Sequence, residues 1–353
     1  MNKKNDWVNK SYYEAIEREH GLQYIKRHTF LLSIYKFTRW NWIGELLCFL
    51  DHLDFKITLH RKIKRVNYQS IIEEHLSDIT DILKSTSLPD PIELNGIDDI
   101  DGFGYFNAES IPWFGENYIS INAGVFYNSH TLVRCLQPFL LAANKNDSTP
   151  YVWKYFFTNQ FVRSSVAYIT HDHTRSLSPI FIIPEDDSLL SGIEQFVISH
   201  EYAHLMLKIY ERKEFQFEKY FNDEIIGLIN SDEEVTADAI AILLLYNVMN
   251  FKTKSPFTFY APLFLFKLLS CYEQEKLIPT PMSHPTNGDR HEYIKNMILQ
   301  LDNNDLYLVY DKELNNIWEA NKNKIEKRVE KINADLEKYL DTIKDLYNRY
   351  GNA

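Results

Sequence analysis

Apolar residues recur at helical spacing over the first quarter of the chain. This spacing predicts three helices, over residues 12–25, 30–50 and 68–83. Between the second and third helix, residues 55–66 have a pattern that favours a strand. The turn-forming run Pro89-Asp90-Pro91, with Asn95-Gly96 soon after it, marks a boundary. We therefore assign residues 1–86 to a helical N-terminal region.

The middle of the chain, residues 87–300, mixes strand and helix patterns. Residues 104–126 predict a β-hairpin, and residues 180–183 predict a short buried strand. Apolar residues then follow helical spacing from Ile193 to Leu207. Ser191 and Glu194 have the S-x-x-E form of a capping box, so we expect this helix to begin near Ser191.

The last region, residues 301–353, is highly charged. Its apolar residues alternate by four and three, at Ile325, Val329, Ile332, Leu336, Tyr339, Ile343 and Leu346. This heptad pattern predicts a long helix from about Lys312 onwards. The apolar stripe has two interpretations. It either pairs two chains as a homodimer or packs along the domain of its own chain.

Composition and charge indicate a folded protein that does not bind nucleic acid. The chain has 353 residues, of which 45% are hydrophobic, and a net charge of −11 at pH 7. Duplex binding relies on Lys and Arg neutralising phosphates, which this charge disfavours. Cys48, Cys135 and Cys271 lie in apolar surroundings, as reduced core thiols do. We see no signal peptide and no apolar run of about twenty residues, so we expect a cytoplasmic protein without a membrane span.

The pentapeptide His200-Glu201-Tyr202-Ala203-His204 is the most specific motif. Four residues make about one helical turn, so both imidazoles leave the same face and can bind one metal ion, with Glu201 beside them. Two buried histidines with carbonyl partners would give the same local pattern. Zinc bound by two histidines needs a third protein ligand and leaves a fourth position to water.

Glu234 is the candidate for the third ligand. It lies thirty residues after His204, directly before an apolar stretch that predicts a helix. Asp238 lies one turn later on the same face, where it can accept the outer N–H of a ligand histidine. Glu233 is rotated about 100° away and should point elsewhere. The alternative is structural, since Ser231 and Glu234 also form an S-x-x-E capping box.

The third motif is Ser283-His284-Pro285, followed by Arg290. Proline disfavours helical backbone at the residue before it, so His284 should lie on a loop or at a strand end. A histidine or arginine aimed at the reacting carbonyl can stabilise an oxyanion. A His-Pro pair taken alone predicts only a turn.

The order of these motifs resembles a known family. They are His200-Glu201-x-x-His204, Glu234-x-x-Ala237-Asp238 and Ser283-His284-Pro285 with Arg290. The series looks like that of the gluzincin metallopeptidases, of the M48 type and its soluble phage-exclusion (Lit-like) relatives. The resemblance covers residues from about 100 to 300. The short interval from His204 to Glu234 is instead similar to that of the ImmA/IrrE-like peptidases.

The resemblance implies a site and a fold. Zinc would be held by His200, His204 and Glu234, with Glu201 as general base and Asp238 supporting a ligand histidine. His284, aided by Arg290, would stabilise the transition state. The implied fold is a mostly α, α+β zincin (gluzincin-like) domain with a small sheet, extra N-terminal helices and a long C-terminal helix.

We therefore expect a cytosolic zinc metalloendopeptidase that hydrolyses a peptide bond in an intracellular protein. An ImmA/IrrE-like peptidase that cleaves a repressor is the alternative within enzymes. A peptide-recognition scaffold that keeps zinc without turnover is the alternative from another class. Glu201 separates these classes, because a scaffold does not need a general base beside its metal.

Overall fold

A computed structural model describes most of the chain after residue 67. The described residues are 68–94, 96–100, 108–113, 116–122, 188–253, 255–280, 284–302 and 306–350, with a few positions between 125 and 170. The helices predicted over residues 12–25 and 30–50 lie outside this part of the chain, as do the strands predicted over residues 55–66 and 180–183.

Helices make up most of the described residues. They are α1 (Tyr68–Ser85), α2 (Ser188–Met206), α3 (Asp223–Ser231), α4 (Glu233–Val248), α5 (Pro256–Gln274), α6 (Asn287–Leu301) and α7 (Leu306–Tyr350). Short 3-10 helices at Arg212–Phe215 and Phe217–Lys219 connect α2 to α3, and a π-helical turn at Met249–Thr253 extends α4. The prediction of a mostly helical fold with a small sheet and a long C-terminal helix is confirmed.

Three strands form a mixed sheet in the order β1-β3-β2. They are β1 (Gly96–Ile100), β2 (Ala108–Trp113) and β3 (Glu116–Asn122). The antiparallel pairing of β2 with β3 confirms the predicted hairpin. The parallel pairing of β1 with β3 was not predicted, because Asn95-Gly96 indicated only a turn. Ile119 and Ile121 of β3 are buried, and the hairpin packs on α2.

Helix α4 lies at the centre of the helical part. Every residue from 235 to 245 is buried, because α4 packs against α1, α2, α3, α5 and α6. Helix α2 in turn packs on α5 with their backbones almost touching. A Cβ at Gly192 would collide with the carbonyl oxygen of Thr258 and with Cβ of Ala261. Only glycine fits at this crossing, and it allows α2 and α5 to pack at a short distance from each other.

The continuous helical segment Glu233–Thr253 is longer than its apolar run suggested. Among the described helices, it is the one long and apolar enough to cross a membrane, with 21 residues. Of its most apolar window, 67% is buried inside the molecule. A helix that is apolar on all sides is also the usual core helix of a folded domain, and the packing around α4 is of that kind.

Two helix starts differ from the prediction. Helix α2 begins at Ser188, so Ser191 and Glu194 lie inside it and form no capping box. Helix α4 has Asp232 as its N-cap, and the Asp232 side chain accepts from the backbone N–H of Glu234. The alternative that Ser231 and Glu234 form the capping box is therefore wrong, and the Glu234 side chain is left for another role.

Helix α7 buries the first part of its apolar stripe, from Ile325 to Ile332, within one chain. It begins at Leu306, before the predicted start near Lys312. Ile325, Val329 and Ile332 are all buried. Trp318 packs edge-on against Tyr272 of α5, with 5.4 Å between the ring centroids. The burial of these three residues is what we expect if the stripe packs along the domain of its own chain.

Candidate metal centre

Helices α2 and α4 bring three potential metal ligands together. His200 and His204 leave α2 one turn apart, and Glu234 lies in the first turn of α4. Nε2 of His200 is 3.2 Å from Nε2 of His204 and 3.3 Å from Oε2 of Glu234. Nε2 of His204 is 3.5 Å from Oε1 of Glu234. Since these ligand atoms lie within 4.8 Å of one another, the group could bind a metal ion.

The outer nitrogen of each histidine faces a carboxylate. Oδ1 of Asp238 lies 2.7 Å from Nδ1 of His200, and Oε1 of Glu233 lies 3.3 Å from Nδ1 of His204. An acceptor at Nδ1 favours the neutral tautomer that carries its proton there. In this neutral form the lone pair is on Nε2, which faces the other ligand atoms, and metal-binding histidines use the same arrangement.

The position of Glu233 differs from our expectation. The helical rotation predicted that it would point away from the site, yet its carboxylate contacts His204. Glu233 is the first residue of α4, where the helix begins beside the end of α2. This close packing of the helix termini brings His204 within reach. The Glu233 side chain remains 64% exposed, so water screens its charge.

Charges around the ligands are strongly coupled. Burial alone would lower the pKa of His200, but the charge of Asp238 outweighs it and raises this pKa to about 9. Burial would raise the pKa of Glu234, but its contacts with His200 and His204 hold it well below its usual range. The raised pKa favours a second proton on His200 in the metal-free site. A metal ion that binds Nε2 displaces this proton.

Glu201 lies buried in the same turn of α2 as the two histidines, with 8% of its surface exposed. Burial raises the pKa of its carboxyl group, although His200 and His204 oppose this shift. Within the part of the chain that the structure describes, its carboxylate has no hydrogen-bond or ion-pair partner. A buried carboxylate of this kind is available to exchange a proton.

The third motif lies at the edge of the group. His284 directly precedes Pro285 and α6, and its side chain is 47% exposed. Nδ1 of His284 is 3.0 Å from Oε2 of Glu234. The structure therefore places His284 beside the candidate ligands, with much of its ring open to solvent.

Arg290 occupies a different position from the one expected. Its guanidinium donates to both oxygens of Asp238 and lies over the ring of Phe266, 4.2 Å from the centroid. It is therefore directed at Asp238 rather than at the open side of the site. The hydroxyl of Tyr293 also donates to Asp238, at 2.8 Å. We did not identify Tyr293 from the sequence, although it lies three residues after Arg290 and so on the same helix face.

Comparisons of the chain with models of known protein families, with curated proteins and with solved structures found no match. The geometry of the site must therefore support any functional assignment. Helix α4 contacts both α2 and α6, and these three helices, with the turn that leads into α6, carry the residues grouped at the site.

Proposed function

We propose that the chain is a zinc-dependent metalloendopeptidase with a gluzincin-like site, acting on a peptide bond in an intracellular protein. The observation that carries this proposal is the convergence of His200, His204 and Glu234 beside the buried carboxylate of Glu201. Two imidazoles and one carboxylate are a standard ligand set of catalytic zinc sites, which leave one position open to water.

The chemistry of the ligand atoms favours zinc over the hard cations. Calcium and magnesium prefer sites made of oxygen atoms, whereas zinc takes imidazole nitrogen readily. Both histidines present Nε2 inwards and have a carboxylate on Nδ1, through Asp238 and Glu233. Such outer contacts fix the ring orientation and make a ligand histidine more basic. The residues present therefore fit a zinc ion.

The protein's own residues account for the proton transfers of peptide hydrolysis. Zinc, when bound, supplies a water molecule of lowered pKa and polarises the scissile carbonyl. Glu201 accepts a proton from the attacking water and returns it to the leaving amine, because its carboxylate is buried and unpaired among the described residues. His284 lies at the exposed edge of the site, where its ring can donate a hydrogen bond to the developing oxyanion.

Replacing Glu201 with Gln tests the proposed reaction. The amide cannot accept the proton, so Glu201→Gln should retain zinc and lose cleavage. Mass spectrometry of protein termini would compare cells that express the wild type, Glu201→Gln, or Glu218→Gln. Glu218 is exposed and lies outside the site, so Glu218→Gln is the matched control.

We expect new protein termini with the wild type and with Glu218→Gln, and none with Glu201→Gln. The same termini at the same abundance with Glu201→Gln would show that the proposed hydrolysis is wrong. A scaffold that binds zinc without turnover would produce no new termini with any of the three proteins. The comparison therefore separates the two functional classes.

A further inference from the structure

The carboxylate of Asp238 is fully buried, and each of its oxygens has two partners. Oδ1 lies 2.7 Å from Nδ1 of His200 and accepts a hydrogen bond from Nη2 of Arg290. Oδ2 accepts from Nε of Arg290 at 3.0 Å and from the hydroxyl of Tyr293 at 2.8 Å. Three hydrogen bonds and the close contact with His200 therefore surround the carboxylate. Its rotation would break several hydrogen bonds at once.

Arg290 is itself held in place. Its guanidinium makes a two-pronged contact with Asp238, which fixes direction as well as distance. One face of the planar group lies on the ring of Phe266, with 4.2 Å to the centroid. Lysine cannot reproduce this arrangement, because an ammonium group has no planar fork. The positive charge of Arg290 also compensates a carboxylate that is removed from water.

Two of the three partners of Asp238 come from one helix that provides none of the three candidate ligands. Arg290 and Tyr293 lie three residues apart on α6. The segment that leads into α6 carries His284, which contacts Glu234. Helix α6 and its leading turn therefore touch two of the three acidic residues of α4 that contact the histidines, Glu234 and Asp238.

We propose that Arg290 and Tyr293 are positioning residues that hold Asp238 against Nδ1 of His200 and thereby set the metal affinity of the site. This inference rests on the proposed zinc site. Tyr293 is the more informative of the two, because removing its hydroxyl deletes one contact and leaves the Asp238–Arg290 pair intact. Loss of an outer partner of a ligand histidine typically weakens metal binding by about 10–100-fold. Tyr293 acts one contact further out, so we expect the lower end of this range.

The test compares two tyrosines that make the same kind of bond. Tyr293→Phe removes a hydroxyl that donates to Asp238 at 2.8 Å. Tyr260→Phe removes a hydroxyl that donates to Asp302 at 2.7 Å, away from the candidate ligands. Zinc affinity would be measured by competition with a chromophoric chelator. The visible spectrum of the cobalt-substituted proteins would report the ligand geometry.

We expect zinc binding to weaken about tenfold in Tyr293→Phe, with a changed cobalt spectrum, and to stay at the wild-type value in Tyr260→Phe. Arg290→Lys should weaken it further, because the two-pronged contact is lost. Equal affinities and spectra for the wild type and Tyr293→Phe would overturn this inference alone. Equal losses in both tyrosine variants would also overturn it. A wild-type protein that binds no zinc would overturn the proposed function as well.

Discussion

The two carboxylates on the outer nitrogens of His200 and His204 differ in their surroundings. Asp238 is fully buried, and Arg290 and Tyr293 fix it in place. Glu233 is 64% exposed, and its contact with His204 is longer, at 3.3 Å. A solvated carboxylate on a flexible side chain holds its partner less firmly than a buried one. We therefore expect the two to contribute unequally to metal binding.

Asp238→Ala should weaken zinc binding by about 10–100-fold, and Glu233→Ala should weaken it by less than about tenfold. Chelator competition measures both affinities. Glu224→Ala, which removes an exposed carboxylate from α3, is the control and should leave the affinity unchanged. A loss in Glu233→Ala as large as that in Asp238→Ala would contradict the difference in burial as the deciding factor.

Helical periodicity placed each pair of candidates on one helix face, but it did not bring the two pairs together or place the residues around them. The intervals His200 to His204 and Glu234 to Asp238 each span about one turn, so each pair shares a face. The contacts of Glu233, Arg290 and Tyr293 depend on how α2, α4 and α6 pack against one another. That packing is a property of distant segments, which local spacing does not encode.

At the scale of the elements, the start of α4 carries two carboxylates with different roles, one that caps the helix and one that is a candidate metal ligand. Asp232 caps the helix by accepting from the backbone N–H groups of Glu234 and Val235. Glu234 instead extends its side chain towards the histidines. Capping and metal binding therefore belong to different residues, although they are only two positions apart.

Asp232→Ala should reduce the free energy of unfolding by about 1 kcal/mol and keep its zinc. Glu234→Ala should lose zinc while its stability without metal changes less. Urea unfolding in the presence of a chelator gives the stabilities, and elemental analysis gives the metal content. Zinc lost from Asp232→Ala but retained by Glu234→Ala would reverse the assignment.

The contact between α6 and α7 should depend on pH through His291. This residue is buried, with Asp311 of α7 and Glu292 beside it and the charge of Lys267 nearby. Burial, helped by Lys267, lowers the pKa of His291 below its usual 6.5. The unfolded chain then binds a proton more readily than the folded one. The stability contribution is present above pH 6.5 and is lost as the pH falls below it.

Unfolding free energies of the wild type and His291→Gln, measured between pH 7.5 and 5.5, should reveal this dependence. The difference between the two proteins removes the contribution of the other titrating groups. We expect the advantage of the wild type to shrink as the pH falls. A difference that stays constant over this range would show that His291 binds protons equally in both states.

Several elements were predictable from their apolar pattern, including the fully buried α4, whereas others were not. Helix α1 and the β2–β3 hairpin match their predicted positions. Helices α3, α5 and α6 were not predicted. In α5, buried residues surround the helix on all sides, so its sequence shows no clear periodicity. Strand β1 gains its partner from the distant β3, and such pairing leaves little local signal.

At the scale of the whole molecule, the question is whether the apolar residues of α7 pack within one chain or pair two chains as a homodimer. Its apolar residues Leu314, Ile317 and Ile325 are buried in the single chain. These residues therefore contribute to the core around α5, and α5 in turn packs on α2, which carries the candidate histidines. Replacing one of these buried residues should therefore lower the free energy of unfolding and leave the oligomeric state unchanged.

Ile325→Ala should lower the free energy of unfolding by about 2–5 kcal/mol, because Ile325 is fully buried. Its molar mass in solution should equal that of the wild type. Chemical unfolding and light scattering coupled to size-exclusion chromatography measure the two properties. Lys327→Ala, at an exposed position of the same helix, is the control. A change in mass without a change in stability would instead support a homodimer through α7.

The zinc content of the purified protein, determined by elemental mass spectrometry for the wild type and His204→Ala, tests the metal centre most directly. We expect one zinc ion per wild-type chain and almost none in His204→Ala, because two remaining ligands do not hold zinc firmly. His291→Gln, which changes a histidine outside the ligand group, should keep its zinc. Full zinc content in His204→Ala would contradict the assignment of His200, His204 and Glu234 as the metal site.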